Sequence, residues 1–366
     1  MIVKNEAKNL ELTLPNFVAA ADRVIIIDTG STDGTKKVAE SLGAEVFDFA
    51  WCDDFSAARN ESIKRADSDW IAWFDADEYL ETKDLERLRS RLDACRSNVV
   101  HLVIKECEYG AKESKNSYFR DKVFRNRLGI RFERPINEQV TCKDKSLHTI
   151  DKLEDVEVFH WGRHLTHYEM LKKNTERTRI FEEVASKNPN DPMYFYLLGL
   201  RRLDLERFKE AEEAFDNAIN LCEGKTGPER FIKEGAHLTK AWTYYRFQNY
   251  KKAISEALRA IEANPENAEP YCVAAGSYLS LCRPADALPL AEKSVNLAKK
   301  QHPMLTVNDI AWDVMRFMFY ANCLVSEKRY IEAIPHLETV LMSHPENESA
   351  ANLLELIKQG VKECKV

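Results

Sequence analysis

Two aspartates one residue apart, Asp75-Ala76-Asp77, directly follow the apolar run Trp70-Ile71-Ala72-Trp73-Phe74, with Glu78 adjoining them. Carboxylates at this spacing suit a hard divalent cation such as Mg2+ or Mn2+, which takes oxygen ligands. A diphosphate and water could complete the octahedron, and the ion would then neutralise charge developing on a departing diphosphate. By itself the triplet reads as readily as a solvated turn with a helix cap. Its place at the end of an apolar strand favours the ligand reading, because open α/β sheets bind ligands beyond the carboxyl ends of their strands. His160, His164 and His167 raise the question of zinc. Gly162 breaks the helix that would align the first two, and no thiolate or carboxylate stands at zinc-finger spacing, so no zinc site is expected.

The elements that must carry these residues lie in residues 1 to about 160. Val24-Ile25-Ile26-Ile27 is a continuous β-branched run, the mark of a strand buried on both faces. It ends in Asp28-Thr29-Gly30-Ser31-Thr32-Asp33-Gly34-Thr35, rich in turn and cap residues, and a helix is expected over Lys36 to Leu42. Asp33 is read as that helix's N-cap, not as a ligand. A further helix is expected from about Ser56 to Arg65, leading into the strand at Trp70. Strand, helix, strand with acids at the strand ends predicts an open α/β sheet.

Beyond about Arg163 the period changes to helical, broken at sites such as Asn188-Pro189-Asn190-Asp191-Pro192 and Asn264-Pro265-Glu266-Asn267. Aligning Ala211, Ala253, Ala287 and Ala333 brings out four copies of a tetratricopeptide-like (TPR) pattern. Phe195, Leu198-Gly199, Phe215 and Ala218 mark the first copy, and Phe317, Tyr320-Ala321, Leu337 and Pro345 the last. The spacings predict insertions near Cys222–Glu234 and Lys299–Val307, and a closing helix over Glu348 to Lys362. Small residues let paired helices approach closely while aromatics fill the grooves between pairs.

Bulk properties narrow the class. The 366 residues suffice for two or three domains, and no stretch approaches the roughly 20 apolar residues that span a bilayer. A net charge of −7 argues against nucleic acid as the main partner. Nine cysteines without a CxxC pair fit reduced thiols in a cytoplasmic chain. The opening residues, MIVKNEAKNL, lack the features of a signal peptide and read as a strand beginning almost at residue 1, so the natural start is expected slightly upstream.

The segments Ile2-Val3-Lys4-Asn5-Glu6, Ile26 to Thr35, Phe55-Ser56-Ala57-Ala58-Arg59-Asn60 and Trp73 to Glu78 together resemble family-two glycosyltransferases of the GT-A fold. The likeness continues more weakly through Phe124 to Arg127, Ile136-Asn137-Glu138-Gln139 and His160-Trp161-Gly162. Some chains of this kind with trailing TPR repeats resemble bacteriocin S-glycosyltransferases, which modify peptides. The resemblance implies an α/β GT-A (Rossmann-like) catalytic domain over 1–162, a linker helix over 163–187, and an all-α TPR solenoid over 188–366.

It further implies inverting transfer from a nucleotide diphosphate sugar, a UDP-sugar, to a peptide, protein or glycan acceptor recruited by the repeats. Asn5, Glu6 and Asp28 would hold the nucleoside, and Arg59 the nucleotide or pyrophosphate. Asp75 and Asp77 would face ribose and the Mn2+ or Mg2+ ion, Asp77 the more directly, with His160 as a further metal or phosphate contact. Inversion needs a base to take the acceptor's proton, and Glu138 is the candidate from the acceptor-side segment, with Glu133 and Glu108 as alternatives. That segment often reads His-Glu-Gln in relatives, whereas here Asn137 stands for the histidine. A salt bridge from Glu138 to Arg134 or Arg131 is the competing reading. At the level of the whole chain, the alternative is a non-catalytic TPR scaffold with a degenerate nucleotide-sugar-binding domain. A nucleotidyltransferase would need a Gly-rich basic loop, which is absent.

Overall fold

The computed structural model describes residues 1–162, 166–297 and 309–363, which form two compact units, Met1–Met170 and Leu171–Val366. His164 and the insertion expected near Lys299–Val307 lie outside the described residues.

In the first unit, β1 (Ile2–Val3), β2 (Ile25–Asp28) and β3 (Glu45–Asp48) form a parallel three-stranded sheet, with β2 central. Helices α1 (Ala7–Ala20), α2 (Thr35–Ser41) and α3 (Phe55–Arg65) alternate with these strands. Ile26 and Ile27 are fully buried, which is why that run carries no polar residue until its last position, Asp28. The strand expected over Trp70 to Phe74 is β4 (Trp70–Ala72). It enters a second, mixed sheet with β5 (Glu78–Tyr79), β6 (Val99–Cys107), β7 (Ser114–Arg125) and β10 (Ile150–His160), in the order β4-β7-β6-β10-β5. Helix α4 (Thr82–Ala94) packs against this sheet, and β8 (Ile130–Glu133) pairs with β9 (Gln139–Cys142) as a separate hairpin.

The second sheet departs from the simple open α/β layout. β4 runs antiparallel to β7, with Ala72 opposite Val123, because β7 reaches it through the hairpin with β6 instead of through a crossover helix. Trp73 continues the ladder by donating its backbone N–H to the Lys122 carbonyl at 2.9 Å. Asp75 and Asp77 therefore occupy a turn between two strands of one sheet, β4 and β5, with Glu78 opening β5.

Among its described residues the second unit is all helix. Helix α5 (His167–Lys187) precedes four hairpins: α6 (Pro192–Asp204) with α7 (Phe208–Leu221), α8 (Glu229–Arg246) with α9 (Tyr250–Ala263), α10 (Ala268–Ser280) with α11 (Pro284–Asn296), and α12 (Asp309–Ser326) with α13 (Tyr330–Ser343). Helix α14 (Glu348–Glu363) packs on α13. The anchor alanines Ala211, Ala253, Ala287 and Ala333 are all completely buried.

The backbone repeats as faithfully as the side chains. The loops within the hairpins place Glu206, Gln248, Cys282 and Lys328 at φ of 57°, 58°, 57° and 61°, each five positions ahead of its anchor alanine. In each, the next residue's N–H returns to a carbonyl five residues earlier: Arg207 to Arg202, Asn249 to Tyr244, Arg283 to Tyr278 and Arg329 to Leu324. This is the left-handed closure that satisfies the last carbonyls of a helix.

Gly199 marks where two helices meet most closely. A Cβ there would stand 2.5 Å from the ring of Phe215 on α7. In an open helix Gly→Ala is stabilising by roughly 1 kcal/mol. Here overpacking should reverse the sign, and Gly199→Ala is expected to destabilise the second unit by about 1–3 kcal/mol in urea unfolding. A stabilised variant would mean that the α6–α7 contact is looser than described.

Candidate active site

Two loops at the carboxyl ends of β1 and β2 are knitted together. Asn5, at φ 57°, accepts from the Thr32 N–H at 2.8 Å through its side-chain oxygen, while its own N–H donates to Ser31 Oγ at 2.9 Å. The Glu6 N–H donates to Thr35 Oγ1 at 2.8 Å, and its Oε2 accepts from Asn9 at 2.8 Å. Asp28 Oδ1 accepts from the backbone of Gly30 and Ser31, each at 2.9 Å. Asp28 Oδ2 is buried and has no hydrogen-bond partner among the described residues. An unsatisfied buried acceptor of this kind costs about 1–3 kcal/mol unless a ligand donates to it. The N-cap position of α2 is Gly34, not Asp33; Asp33 sits one residue earlier and accepts from Thr35 N–H at 2.9 Å.

Arg59 brings the distant segments together. Asp54 caps α3 by accepting from Ala57 N–H at 2.8 Å, and the helix then presents Arg59, only 6% exposed, beneath the acidic turn. Arg59 Nη2 donates to Asp75 Oδ1 at 2.9 Å, and its Nε donates to Glu138 Oε1 at 2.8 Å. The guanidinium lies 4.4 Å from the centroid of Trp73. Glu138 therefore pairs with Arg59, 79 residues away, while Arg131 pairs with Glu133. Burial alone would raise the Asp75 pKa, but the charges of Arg59, Lys122 and Arg120 outweigh it and hold the carboxyl well below the usual range.

The loop carrying Glu138 is held in strained backbone, with Arg134 at φ 79° and Asn137 at φ 56°. Residues of α3 pin it. Ser56 Oγ donates to the Arg134 carbonyl at 2.5 Å, Phe55 N–H to the Pro135 carbonyl at 2.7 Å, and Asn60 bonds the backbone of Phe132 in both directions at 2.9 Å. Nothing in the spacing of these residues announces the contacts.

Asp77 faces β10. His160 Nε2 lies 3.5 Å from Asp77 Oδ2, and Nδ1 lies 2.9 Å from Glu106 Oε2. Burial would lower the His160 pKa, but hydrogen bonds to Asp77 and Glu106 push it up to about 10. His160 thus stands between two carboxylates, Asp77 and Glu106. Glu106 is a member of the cluster that the sequence reading missed, as are Lys122 and Glu78 as a pair. Lys122 Nζ reaches Glu78 Oε1 and Oε2 at 2.6 and 2.7 Å.

No group of three or more His, Cys, Asp or Glu side chains disposed to hold a metal occurs among the described residues. With Asp75 engaged by Arg59, this donor set fits an ion held by one carboxylate, Asp77, and completed by phosphate oxygens and water, a usual mode for magnesium. A cavity of about 360 Å3 also lies in this unit, between β2 and β4, reaching Arg59 and Trp73. None of Asp28, Asp75, Asp77, Glu138 or His160 lines it.

Residues 1–156 match the family model for glycosyl transferase family 2. A TPR repeat-containing protein of Synechococcus elongatus is 39% identical over 155 residues, 42% of this chain and 37% of that one. The SPbeta prophage-derived glycosyltransferase SunS of Bacillus subtilis is 24% identical over 238 residues, 63% of this chain and 55% of SunS. An uncharacterised glycosyltransferase of Rickettsia bellii is 38% identical over 86 residues, 24% of this chain and 29% of that protein. The chain thus spans about a third to half of the length of these relatives. Among solved structures, YrrB, a TPR protein with an unusual peptide-binding site, aligns over 50% of this chain and 84% of its own, with 18% identity and a TM-score of 0.39. The chain carries a family-2 glycosyltransferase domain in its first unit, followed by tetratricopeptide-type helical repeats in its second.

Arg59 is the group whose loss should be felt most in the first unit. Arg59→Met leaves the partly buried Asp75 and Glu138 without their shared cation; breaking a fully buried pair costs about 3–5 kcal/mol, and solvent at Asp75 brings the expected loss below that range. Urea unfolding should show that loss for the first unit, with Arg59→Lys intermediate because an ammonium cannot bridge both carboxylates with a planar fork. Wild-type stability in Arg59→Met would show that the bridge does not organise the unit.

Proposed function

We propose that this protein transfers a sugar from a nucleotide diphosphate sugar, a UDP-sugar, to a peptide, protein or glycan acceptor, with inversion at the anomeric carbon. One observation carries the reading: the buried, unpartnered Asp28 Oδ2 at the end of β2, in a family-2 domain whose acidic turn follows β4. A nucleobase N–H or ribose O–H would satisfy that oxygen, with the Asn5 and Glu6 loop closing around the nucleoside. Asp77 would hold a divalent cation, Mn2+ or Mg2+, which supplies charge neutralisation for the diphosphate.

In the transfer, the bond from the anomeric carbon to the diphosphate oxygen breaks with its electron pair leaving on the diphosphate. The acceptor's O, N or S bonds to the same carbon from the opposite face and loses its proton. Arg59 engages Glu138 Oε1, so Oε2 is the atom proposed to take that proton. A thiol acceptor would demand less of this base than an alcohol, since its intrinsic pKa is lower. The repeats would contribute by binding parts of the acceptor remote from the reacting atom, which converts binding energy into orientation.

No helix among the described residues is long and apolar enough to cross a membrane, and none of the eight described cysteines forms a disulfide with another. Free thiols suit a reducing compartment, and we assign the activity to the cytoplasm.

Calorimetry with UDP and GDP tests the metal's part. Affinity should be far higher with Mn2+ or Mg2+ than in chelator, because Asp77 would otherwise face phosphate as a like charge. Asp77→Asn should keep the fold but reduce donor turnover ~100-fold or more, the scale of losing one well-placed electrostatic contact to a developing charge. Parent and Asp77→Asn proteins that hydrolyse every nucleotide-sugar equally slowly would favour the scaffold reading.

A further inference from the structure

Lys122 is fully buried in the middle of β7, and three bonds fix it at both ends of the acidic turn. Its carbonyl accepts from Trp73 N–H at 2.9 Å, where the turn begins. Its ammonium crosses the indole of Trp73, 3.8 Å from the centroid, and donates to both oxygens of Glu78 at 2.6 and 2.7 Å, where the turn ends. Glu78 Oε2 in turn accepts from Asp75 N–H at 2.8 Å, and Glu78 N–H donates to the Asp75 carbonyl at 3.1 Å.

Stability alone does not account for this pair. Burial pulls the Lys122 pKa below the ordinary lysine value, against the opposing charges of Glu78 and Asp75. A buried ion pair of this kind can usually be replaced by apolar side chains of similar volume at little or no cost. What apolar residues could not do is hold a carboxylate oxygen in place for the Asp75 N–H while tying that carboxylate to the neighbouring strand. The Asp75-Ala76-Asp77 segment lies wholly between the two anchor points on Lys122.

We propose that Lys122 is a positioning residue: through Glu78 it straps the 73–78 turn to β7, and so sets where Asp77 meets the donor's diphosphate. The inference rests on the glycosyl-transfer reading above, and it assigns Lys122 no contact with substrate. A misplacement of the turn by about 1 Å would suffice to cost ~100-fold in rate.

The test compares the parent with Lys122→Met and with the double variant Lys122→Met/Glu78→Gln. The double variant leaves no lone buried charge, so it retains its fold even where the single variant does not. Three readouts are taken. Asp75 amide hydrogen exchange is measured in metal-free protein, binding of UMP against UDP with Mn2+ by calorimetry, and donor hydrolysis at saturating donor. The strap predicts faster Asp75 exchange, unchanged UMP affinity, weakened UDP–Mn2+ affinity and a kcat lowered ~100-fold in the double variant. A double variant with parental kcat and a protected Asp75 amide overturns the proposal and leaves the pair purely structural. Equal losses of UMP and UDP–Mn2+ affinity overturn it too, since the damage would then not be confined to the turn. A parent that turns over no donor, while Asp75 exchange still accelerates in the variants, sinks the glycosyl-transfer reading and supports the strap as a feature of the turn itself.

Discussion

The Arg59 guanidinium is the interaction on which the first unit's site depends. It is almost fully buried, lies against Trp73, and is shared between Asp75 from the β4–β5 turn and Glu138 from the strained loop ahead of β9. A planar cation with donors along two edges can meet two carboxylates at once, which a lysine cannot. Removing water from such a group is costly, and the two anions and the rings of Trp73 and Phe132 offset that cost. Helix α3, the acidic turn and the 134–138 loop must therefore adopt their places together. The hydrogen bonds from Phe55, Ser56 and Asn60 to that loop are the backbone counterpart of the same constraint.

Charge balance around Trp73 follows the same logic. Arg59, Arg120 and Lys122 stand within 3.8–5.2 Å of its ring, and the carboxylates of Asp75, Glu78 and Glu138 answer them. Asp77 lies outside this set and faces His160. The two aspartates of one motif therefore have different environments: Asp75 is held inside the network by Arg59, whereas Asp77 lies against His160 outside it. The second unit obeys a simpler rule. Its hairpins close through a left-handed residue at each turn and pack on buried alanines, so each pair depends mainly on its neighbours.

Much of this was legible in the sequence alone. The apolar run to Ile27 followed by Asp28, the strand at Trp70 and the acidic triplet all stand where residue type and period place them, because strands buried on both faces allow few polar positions. The four anchor alanines were legible for a related reason: close helix packing tolerates only small side chains at these positions, and they recur through the chain despite the insertions between repeats. Resemblance added the family, and it singled out Glu138 and His160 from residues that spacing alone leaves anonymous.

Tertiary structure decided which charges meet. Glu138 finding Arg59 across 79 residues, His160 finding Glu106 across 54, and Lys122 finding Glu78 across 44 depend on sheet order and on strained loop backbone. So does the antiparallel entry of β4 beside β7, which turns a strand end into a turn strapped at both sides. Local pattern records burial and period, since those act residue by residue along one element. Pairing of buried charges is a property of elements brought together, and no periodicity in the chain encodes it.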